Sequence, residues 1–564
     1  MAFIEAKEIK IKDLLSHAQE AYKVPVYQRA FAWTETQWRE LFEDLTQLTE
    51  DEIHFLGSIV VVPTGPHRHG INYFEIVDGQ QRMATILILL AVIRDLSREK
   101  GNHGFANYIN DTFLFAKDWE GDKEIKVPKL ELGKLDNEAF QSILEQKHKD
   151  SSNLVFNCYN FFKKNIQSSG NDLQKLVNTI LNKVSIVHIN ALNYLNAFRL
   201  FETLNDRGLE LSATDLIKNY LLSKVAGDED IFNMVVDEWN EMYEKVRDLE
   251  PVKFVRRYML SSYSGKISER RLYEGLKNKI EREEGGWNNT KIYGFVKNLN
   301  KHATIYKNIY HGIGFSEKIN NRLKELHLVE VAPSYTLLLK IMSAYEEKII
   351  PEDDIIKILD MIEVFHIRWG ICGQATSRLD DVYNAICVGL GNITERTNVL
   401  KIITDIYRQE FNTLTDQLFY NNFLKGSFKA SETRTKYILW KLSQPTGETL
   451  LNINEIQTEH IMPQKLNKDW IQYLKNKTKM KDDEILEAHA KYLNRIGNLT
   501  IIKGDWNSKM SNRVFNIKKE DYQKSDISIT KKLSEYNEWG FEEIERRSEE
   551  LATLAVSQIW KWKW

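Results

Sequence analysis

The sequence predicts a mixed α/β protein that is predominantly helical. Its regions are an α/β domain over residues 1–225, a helical connecting region over 226–425 and a largely helical C-terminal domain over 426–564. Three observations lead there. A chain of 564 residues exceeds what one hydrophobic core supports. Only nine prolines interrupt long Lys-, Glu-, Leu- and Ile-rich runs of helical period. Short β-patterned runs bounded by turn residues are confined to small patches.

In the first region, Ile59 to Pro63 and Tyr73 to Val77 read as buried strands separated by a polar Gly/Pro/His loop. Asp78-Gly79 turns the chain into a helix over Met83 to Leu96. Val184 to Asn190 reads as a further strand, followed by a helix from about Ala197 and a turn at Asn205-Asp206-Arg207-Gly208. Ser212, with Asp215 three residues on, resembles a capping box for a helix over Ala213 to Val225. Over 226–425 the pattern is almost wholly helical. Its aromatic residues (Trp239, Tyr243, Phe254, Tyr258, Phe365, Trp369) are expected to form packing layers rather than base-stacking platforms.

A net charge of −3 carries no global nucleic-acid signature. From His460 to Lys532, however, 16 Lys/Arg stand against 9 Asp/Glu. On charge alone that is a solvated lysine-rich face; it gains meaning from the motif it surrounds. Cys158, Cys372 and Cys387 are isolated, which argues against a disulfide framework or a cysteine-rich zinc site and fits a reducing cytoplasm. The N-terminus lacks a signal-peptide core, and the main apolar run, Met83 to Ile93, is too short to cross a bilayer. A soluble, cytoplasmic protein with no membrane partner is expected.

The C-terminal domain contains Thr458-Glu459-His460-Ile461-Met462-Pro463-Gln464, then Asn494-Arg495-Ile496-Gly497-Asn498-Leu499-Thr500-Ile501-Ile502, then Asn507. A lone Glu-His pair is weak, and Asn after Gly is commonly turn chemistry. The ordered set is stronger: Glu-His, a loop, Gly-Asn entering an apolar strand, and Asn at a helix start. That is the plan of a ββα-metal (HNH) nuclease. Hydrolysis of a phosphodiester needs a deprotonated water and stabilisation of charge on the transition state and leaving oxygen. His460 suits the first task as general base. Glu459 and Asn507 are oxygen ligands suited to Mg²⁺ or Mn²⁺. Asn498 is expected to hold the loop and orient the His460 ring through its amide.

These residues, with Ser511-Asn512, Phe515, Lys518, Tyr522, Trp539, Ile544, Arg546-Arg547 and Trp560, resemble the C-terminal nuclease half of GmrSD-type proteins. Those are modification-dependent (type IV) restriction endonucleases and related phage-defence effectors. Here the first motif residue is Glu rather than His or Asp, and the last is Asn rather than His. Both remain oxygen ligands, favouring Mg²⁺ or Mn²⁺ over zinc.

The N-terminal half carries matching motifs of its own. Val24-Pro25-Val26-Tyr27-Gln28-Arg29-Ala30-Phe31-Ala32-Trp33 resembles the opening motif of the GmrS-like half, and Asp78-Gly79-Gln80-Gln81-Arg82 its second. Phe201-Glu202, Leu204-Asn205, Arg207-Gly208-Leu209, Leu211 and Asp215-Leu216-Ile217-Lys218-Asn219 resemble its third. Read from the residues, Asp78 to Arg82 is either a capped helix start with a structural arginine or a phosphate site. In the second case Gly79 presents backbone N–H groups, Gln80, Gln81 and Arg82 add donors, Arg29 adds a cation, and Asp78 binds Mg²⁺ or positions water. Asn205, Arg207 and Lys218 complete such a pocket, or are turn and helix residues. No P-loop occurs. The resemblance implies a ParB/sulfiredoxin-like fold for this half, with binding or hydrolysis of a nucleoside triphosphate that controls the nuclease.

The expected function is therefore a nucleotide-regulated, metal-dependent HNH endonuclease with NTPase activity, acting in antiviral restriction on foreign, modified double-stranded DNA. One HNH site cuts one strand, so a double-strand break calls for a homodimer or repeated nicking. The alternatives are a ParB-like DNA-binding switch without cleavage and an RNA-directed or toxin-like nuclease. Tyr27, Phe31 and Trp33 either line a pocket for a modified base or pack their own loop, the second being favoured.

Overall fold

The computed structural model describes every residue except 1–3, 26–27, 29, 68–69, 121, 148–152, 195, 198–211, 264, 266, 283–285, 397, 445–451 and 505–511. Arg29, Asn205, Arg207 and Asn507 therefore lie outside the described residues, as do Tyr27 and the expected turn at 205–208. The chain forms two compact units, 1–244 with 270–300, and 245–269 with 301–564.

The first unit is built on a six-stranded mixed sheet. Its strands are β1 (Ile4–Lys10), β2 (Glu20–Lys23), β3 (His54–His67), β4 (Ile71–Asp78), β7 (Leu130–Glu131) and β8 (Val184–Ala191), in the order β1-β8-β3-β4-β2-β7. A separate antiparallel pair, β5 (Phe115–Glu120) and β6 (Lys123–Pro128), stands between β4 and β7 in sequence. The expected strands at 59–63, 73–77 and 184–190 form its centre, where β3 pairs antiparallel with β4 and parallel with β8. Valine and isoleucine suit a pleated surface covered by side chains on the core face. β3 runs further than its apolar stretch implies, because register shifts at Val60/Val61 and Pro63/Pro66 let the prolines sit in the ladder.

The helix Gln80–Glu99 is apolar almost all round and lies in the core, with Met83 and Ile86 to Leu90 buried. It packs on the helices Leu154–Ser169 and Leu173–Lys183. The helix Ala213–Val225 starts at Ser212, whose Oγ accepts from the Asp215 N–H at 3.3 Å. The return half of the expected capping box differs: Ser212 Oγ donates to the Asp215 carboxylate at 2.7 Å.

The second unit is helical apart from β9 (Ile456–His460) and β10 (Leu499–Lys503). Of the aromatics expected to form packing layers, Phe254, Tyr258, Phe365 and Trp369 are buried in this unit and Trp239 in the first, where Tyr243 is half-buried. The helix Glu352–Ile371 anchors the chain's aromatic end. Buried Arg368 donates to the Trp560 carbonyl at 2.7 Å and to Asp416 at 2.6 Å, while the Trp560 indole donates to Glu363 at 3.0 Å. No helix among the described residues is long and apolar enough to cross a membrane.

One buried histidine in this unit sets an acid limit to stability. His366 receives the Tyr383 hydroxyl at 2.7 Å, and Tyr383 lies 3.2 Å from the Tyr407 hydroxyl. Burial, with the Arg434 guanidinium nearby, pushes His366 down to about 3 from its ordinary 6.5. A depressed imidazole binds its proton in the unfolded chain first, so its stabilising contribution is whole above 6.5 and is lost as pH falls towards 3. Between pH 7 and 5 the wild type is expected to lose about 2 kcal/mol more than a His366→Leu variant. Urea unfolding at the two pH values measures the difference; identical losses would remove His366 from the acid response.

Candidate active site

β9 and β10 pair antiparallel with Glu459 opposite Thr500 and His460 opposite Leu499. The pair rests on a core of Ile461, Met462, Trp470, Ile502, Phe515, Trp539 and Ile544. Where β9 ends, Thr458, Glu459 and His460 line a cleft of about 410 Å³ with Pro463, Gln464, Asn512, Ala430 and Ser431. The two residues expected to do the chemistry thus share one opening.

Asn498 is fully buried and all its amide capacity is spent. Its Oδ1 accepts the Met462 N–H at 2.8 Å and the Trp539 indole at 3.4 Å, and its Nδ2 donates to the carbonyls of Met462 and Leu493, both at 3.0 Å. Its own carbonyl takes the Ile461 N–H at 2.9 Å. Asn498 therefore clamps the turn after His460, as expected, but it does not orient the imidazole, because no donor or acceptor is left over. That part of its expected role passes to Asn494, whose Oδ1 lies 3.4 Å from His460 Nε2. With Nε2 as the protonated nitrogen this contact is a hydrogen bond, and Nδ1 is then the ring nitrogen with the lone pair. Burial pushes the imidazole below its ordinary value, aided by the charges of Lys518 and His489 and opposed by Asn494. On the other side of the turn, His489 Nε2 donates to the Pro463 carbonyl at 2.8 Å.

Gly497 is needed for close approach rather than for a turn. A Cβ there would collide with the Ile544 carbonyl and Ser548 Oγ of the helix Phe541–Leu554. The same helix supplies buried Arg547, which donates to the Gly497 and Leu499 carbonyls at 2.6 and 2.7 Å on either side of Asn498. Burial pushes that guanidinium down to about 10.

Glu459 has a partner that its expected role as metal ligand did not foresee. The Nζ of Lys518, on the helix Phe515–Gln523, donates to Glu459 Oε1 at 2.9 Å. The second carboxylate oxygen accepts no hydrogen bond among the described residues. Gln464 and Asn512 on the same cleft add amide oxygens that, with Glu459, could take a hard cation; no group of three or more His, Cys, Asp and Glu side chains is gathered among the described residues. Sequence reasoning quoted Lys518, Asn494 and His489 or passed over them without a role. A signal existed for Lys518, which shares a helix face with Phe515 and Tyr522, both fully buried.

In the first unit, Gly79 caps the helix Gln80–Glu99 with φ +91°, and a Cβ there would lie 2.7 Å from the Ser58 carbonyl. Only glycine meets both demands. Arg82 donates to that same carbonyl at 2.9 Å and stands 3.6 Å from Asp78, which also receives Ser58 Oγ at 3.4 Å. Asp78, Gly79 and Arg82 are thus brought together, and Gln80 is buried beside them in sequence. Gln81 departs from its expected part in a phosphate site. Its Oε1 accepts from the N–H groups of Ala32 and Trp33 at 2.8 and 3.2 Å, and its Nε2 donates to the Ala30 carbonyl at 3.2 Å. It knits the second motif to the first, as does Gln28, which donates to the Val77 carbonyl at 2.9 Å. Phe31 is buried and stacks on Trp38, which fits loop packing rather than a base pocket. Lys218 turns to Asn240 Oδ1 at 3.4 Å, and burial, opposed by Asp215, pushes its amine down to about 7.

The sequence pattern of the GmrSD restriction endonuclease N-terminal domain matches residues 11–222, and that of the C-terminal domain matches residues 412–554. The first match contains the motifs around Phe31, Asp78 and Lys218; the second contains the whole frame of the cleft. No curated protein matches the chain. With its two halves in this order, the chain belongs to the GmrSD restriction endonuclease family.

Proposed function

We propose that this restriction endonuclease is a nucleotide-regulated, metal-dependent HNH enzyme of type IV restriction that cuts foreign, modified double-stranded DNA. The observation that carries the proposal is His460 beside Glu459 on one cleft, with its ring partner and its turn held by separate side chains. The unprotonated ring nitrogen of His460 takes a proton from water; the resulting hydroxide forms the new P–O bond as the bond from phosphorus to the leaving oxygen breaks, and that oxygen takes up a proton from solvent. Asn494 retains the Nε2 proton and keeps the ring from turning, while Asn498 and Arg547 keep the turn in place. Glu459 and Asn507 would hold Mg²⁺ or Mn²⁺, which supplies charge stabilisation for the phosphorane-like transition state and the leaving oxygen. The excess of Lys and Arg between His460 and Lys532 suits a DNA backbone.

The N-terminal unit is assigned the nucleotide. Asp78, Gly79 and Arg82 would meet the triphosphate at the start of the helix Gln80–Glu99, with Gln80, Arg29, Asn205 and Arg207 as further contacts. A homodimer or successive nicks would complete a double-strand break. One observation favours a second reading, a DNA-binding switch that does not cut: Glu459 already has a cation in Lys518. Asp78→Ala and Arg82→Ala are expected to lose nucleotide turnover, whereas His460→Ala keeps it. Phosphate release by the three variants checks this; wild-type turnover in both N-terminal variants would reduce Asp78 to Arg82 to a helix start.

A further inference from the structure

Lys518 is fully buried, and its three N–H groups meet three acceptors. These are Glu459 Oε1 at 2.9 Å, the His460 carbonyl at 3.0 Å and the Ile461 carbonyl at 3.2 Å. The acceptors are consecutive along the chain and span the end of β9 and the start of the turn. Taking an ammonium out of water costs more than burying an apolar side chain of the same length. The flanking positions on its helix face, Phe515 and Tyr522, are large and buried, so packing alone would be satisfied by methionine. What the ammonium adds is a fixed direction for one carboxylate and for the two peptides beside it.

Resting on the assignment of Glu459 and His460 to cutting, we infer that Lys518 is a positioning residue of the cutting centre that fixes the Glu459 carboxylate at a cost in metal affinity. The cost follows from charge. A divalent ion on the outer oxygen of Glu459 shares that carboxylate with an ammonium, and like charges a few ångströms apart repel. The carboxylate's direction is set before the ion arrives, and the ion is held more loosely than an unpaired glutamate would hold it. Lys518 touches neither DNA nor the attacked phosphorus in this account; it acts through Glu459 and the turn.

The test uses the full chain and Mn²⁺ as the probe, with affinity read by titration calorimetry and cutting read in single turnover at saturating Mn²⁺. Lys518→Met is expected to bind Mn²⁺ at least about tenfold more tightly and to cut at least about tenfold more slowly. Lys518→Arg keeps the charge but presents a planar fork to acceptors arranged for an ammonium. It is expected to hold Mn²⁺ affinity within about threefold while cutting about tenfold more slowly. If Lys518→Met unfolds, the arginine variant alone decides. Weaker Mn²⁺ binding together with slower cutting would mean a scaffold role and overturn the inference, as would values within about twofold of wild type for both readouts. His460→Ala separates the two levels. If it cuts within about tenfold of wild type, the assignment of the cleft fails; if it loses about a hundredfold or more while Lys518→Met behaves as wild type, only the inference about Lys518 fails.

Discussion

Replacing His460 by alanine is expected to lower DNA cutting by roughly 10²–10⁴-fold, the span that a positioned general base contributes, with fold and any nucleotide turnover unchanged. The side chain contributes little to the frame around it. Its ring makes one long hydrogen bond, to Asn494 at 3.4 Å, whereas the turn is held by Asn498 and by Lys518 on the His460 backbone carbonyl. Alanine preserves that carbonyl and the β9–β10 pairing. Nicking of supercoiled plasmid carrying the modification that the wild type cuts, in Mg²⁺ and the nucleotide condition that supports cutting, measures the effect, with thermal unfolding as control. Cutting within tenfold of wild type would show that the attacking water loses its proton elsewhere.

The second large effect is expected at Asn498, by changing one atom. In Asn498→Asp an oxygen replaces the Nδ2 that donates to the Met462 and Leu493 carbonyls. The remaining carboxylate oxygen still accepts the Met462 N–H, but its twin now faces two carbonyl oxygens. Losing two buried hydrogen bonds and burying a charge against like dipoles costs about 3 kcal/mol or more. The turn after His460 is released at the same time, so cutting falls with stability. Urea unfolding gives the first quantity and plasmid nicking the second. A variant with wild-type stability would mean that the turn is held by the Ile461–Asn498 backbone bond alone.

The sequence was most readable where one physical demand dominates. Ile59 to Val62 are β-branched and buried, and Val184, Ile186 and Ile189 are the same, so both runs read as central strands, and they are. Apart from β4, the remaining strands of the sheet are short or lie at an edge. β7 has two residues and β2 reads Glu-Ala-Tyr-Lys, too little for periodicity to register. β1, Ile-Glu-Ala-Lys-Glu-Ile-Lys, is as charged as the surface helices. At the cleft, Glu459, His460 and Asn498 were legible because a catalytic order of residue types spaces them along the chain. Which nitrogen, oxygen or carbonyl each one meets was not, because those partners come from distant elements. Asn498 and Asn494 have the same side chain four residues apart, and only the fold decides that one grips backbone and the other the ring. Gln81 shows the same limit: its position after Asp78-Gly79 suggests a phosphate donor, yet the 30–33 segment passes close enough to take both ends of its amide.

The central claim is that a nucleotide-controlled N-terminal unit governs a cutter for modified DNA. Its most direct test is cleavage of sequence-matched duplexes with unmodified, hydroxymethylated, glucosylated or phosphorothioated DNA. The full chain is assayed in Mg²⁺ with each of the four nucleoside triphosphates and with none. The account predicts cutting confined to one kind of modified duplex and altered by at least one nucleotide. Equal cutting of every duplex under every nucleotide condition would contradict it.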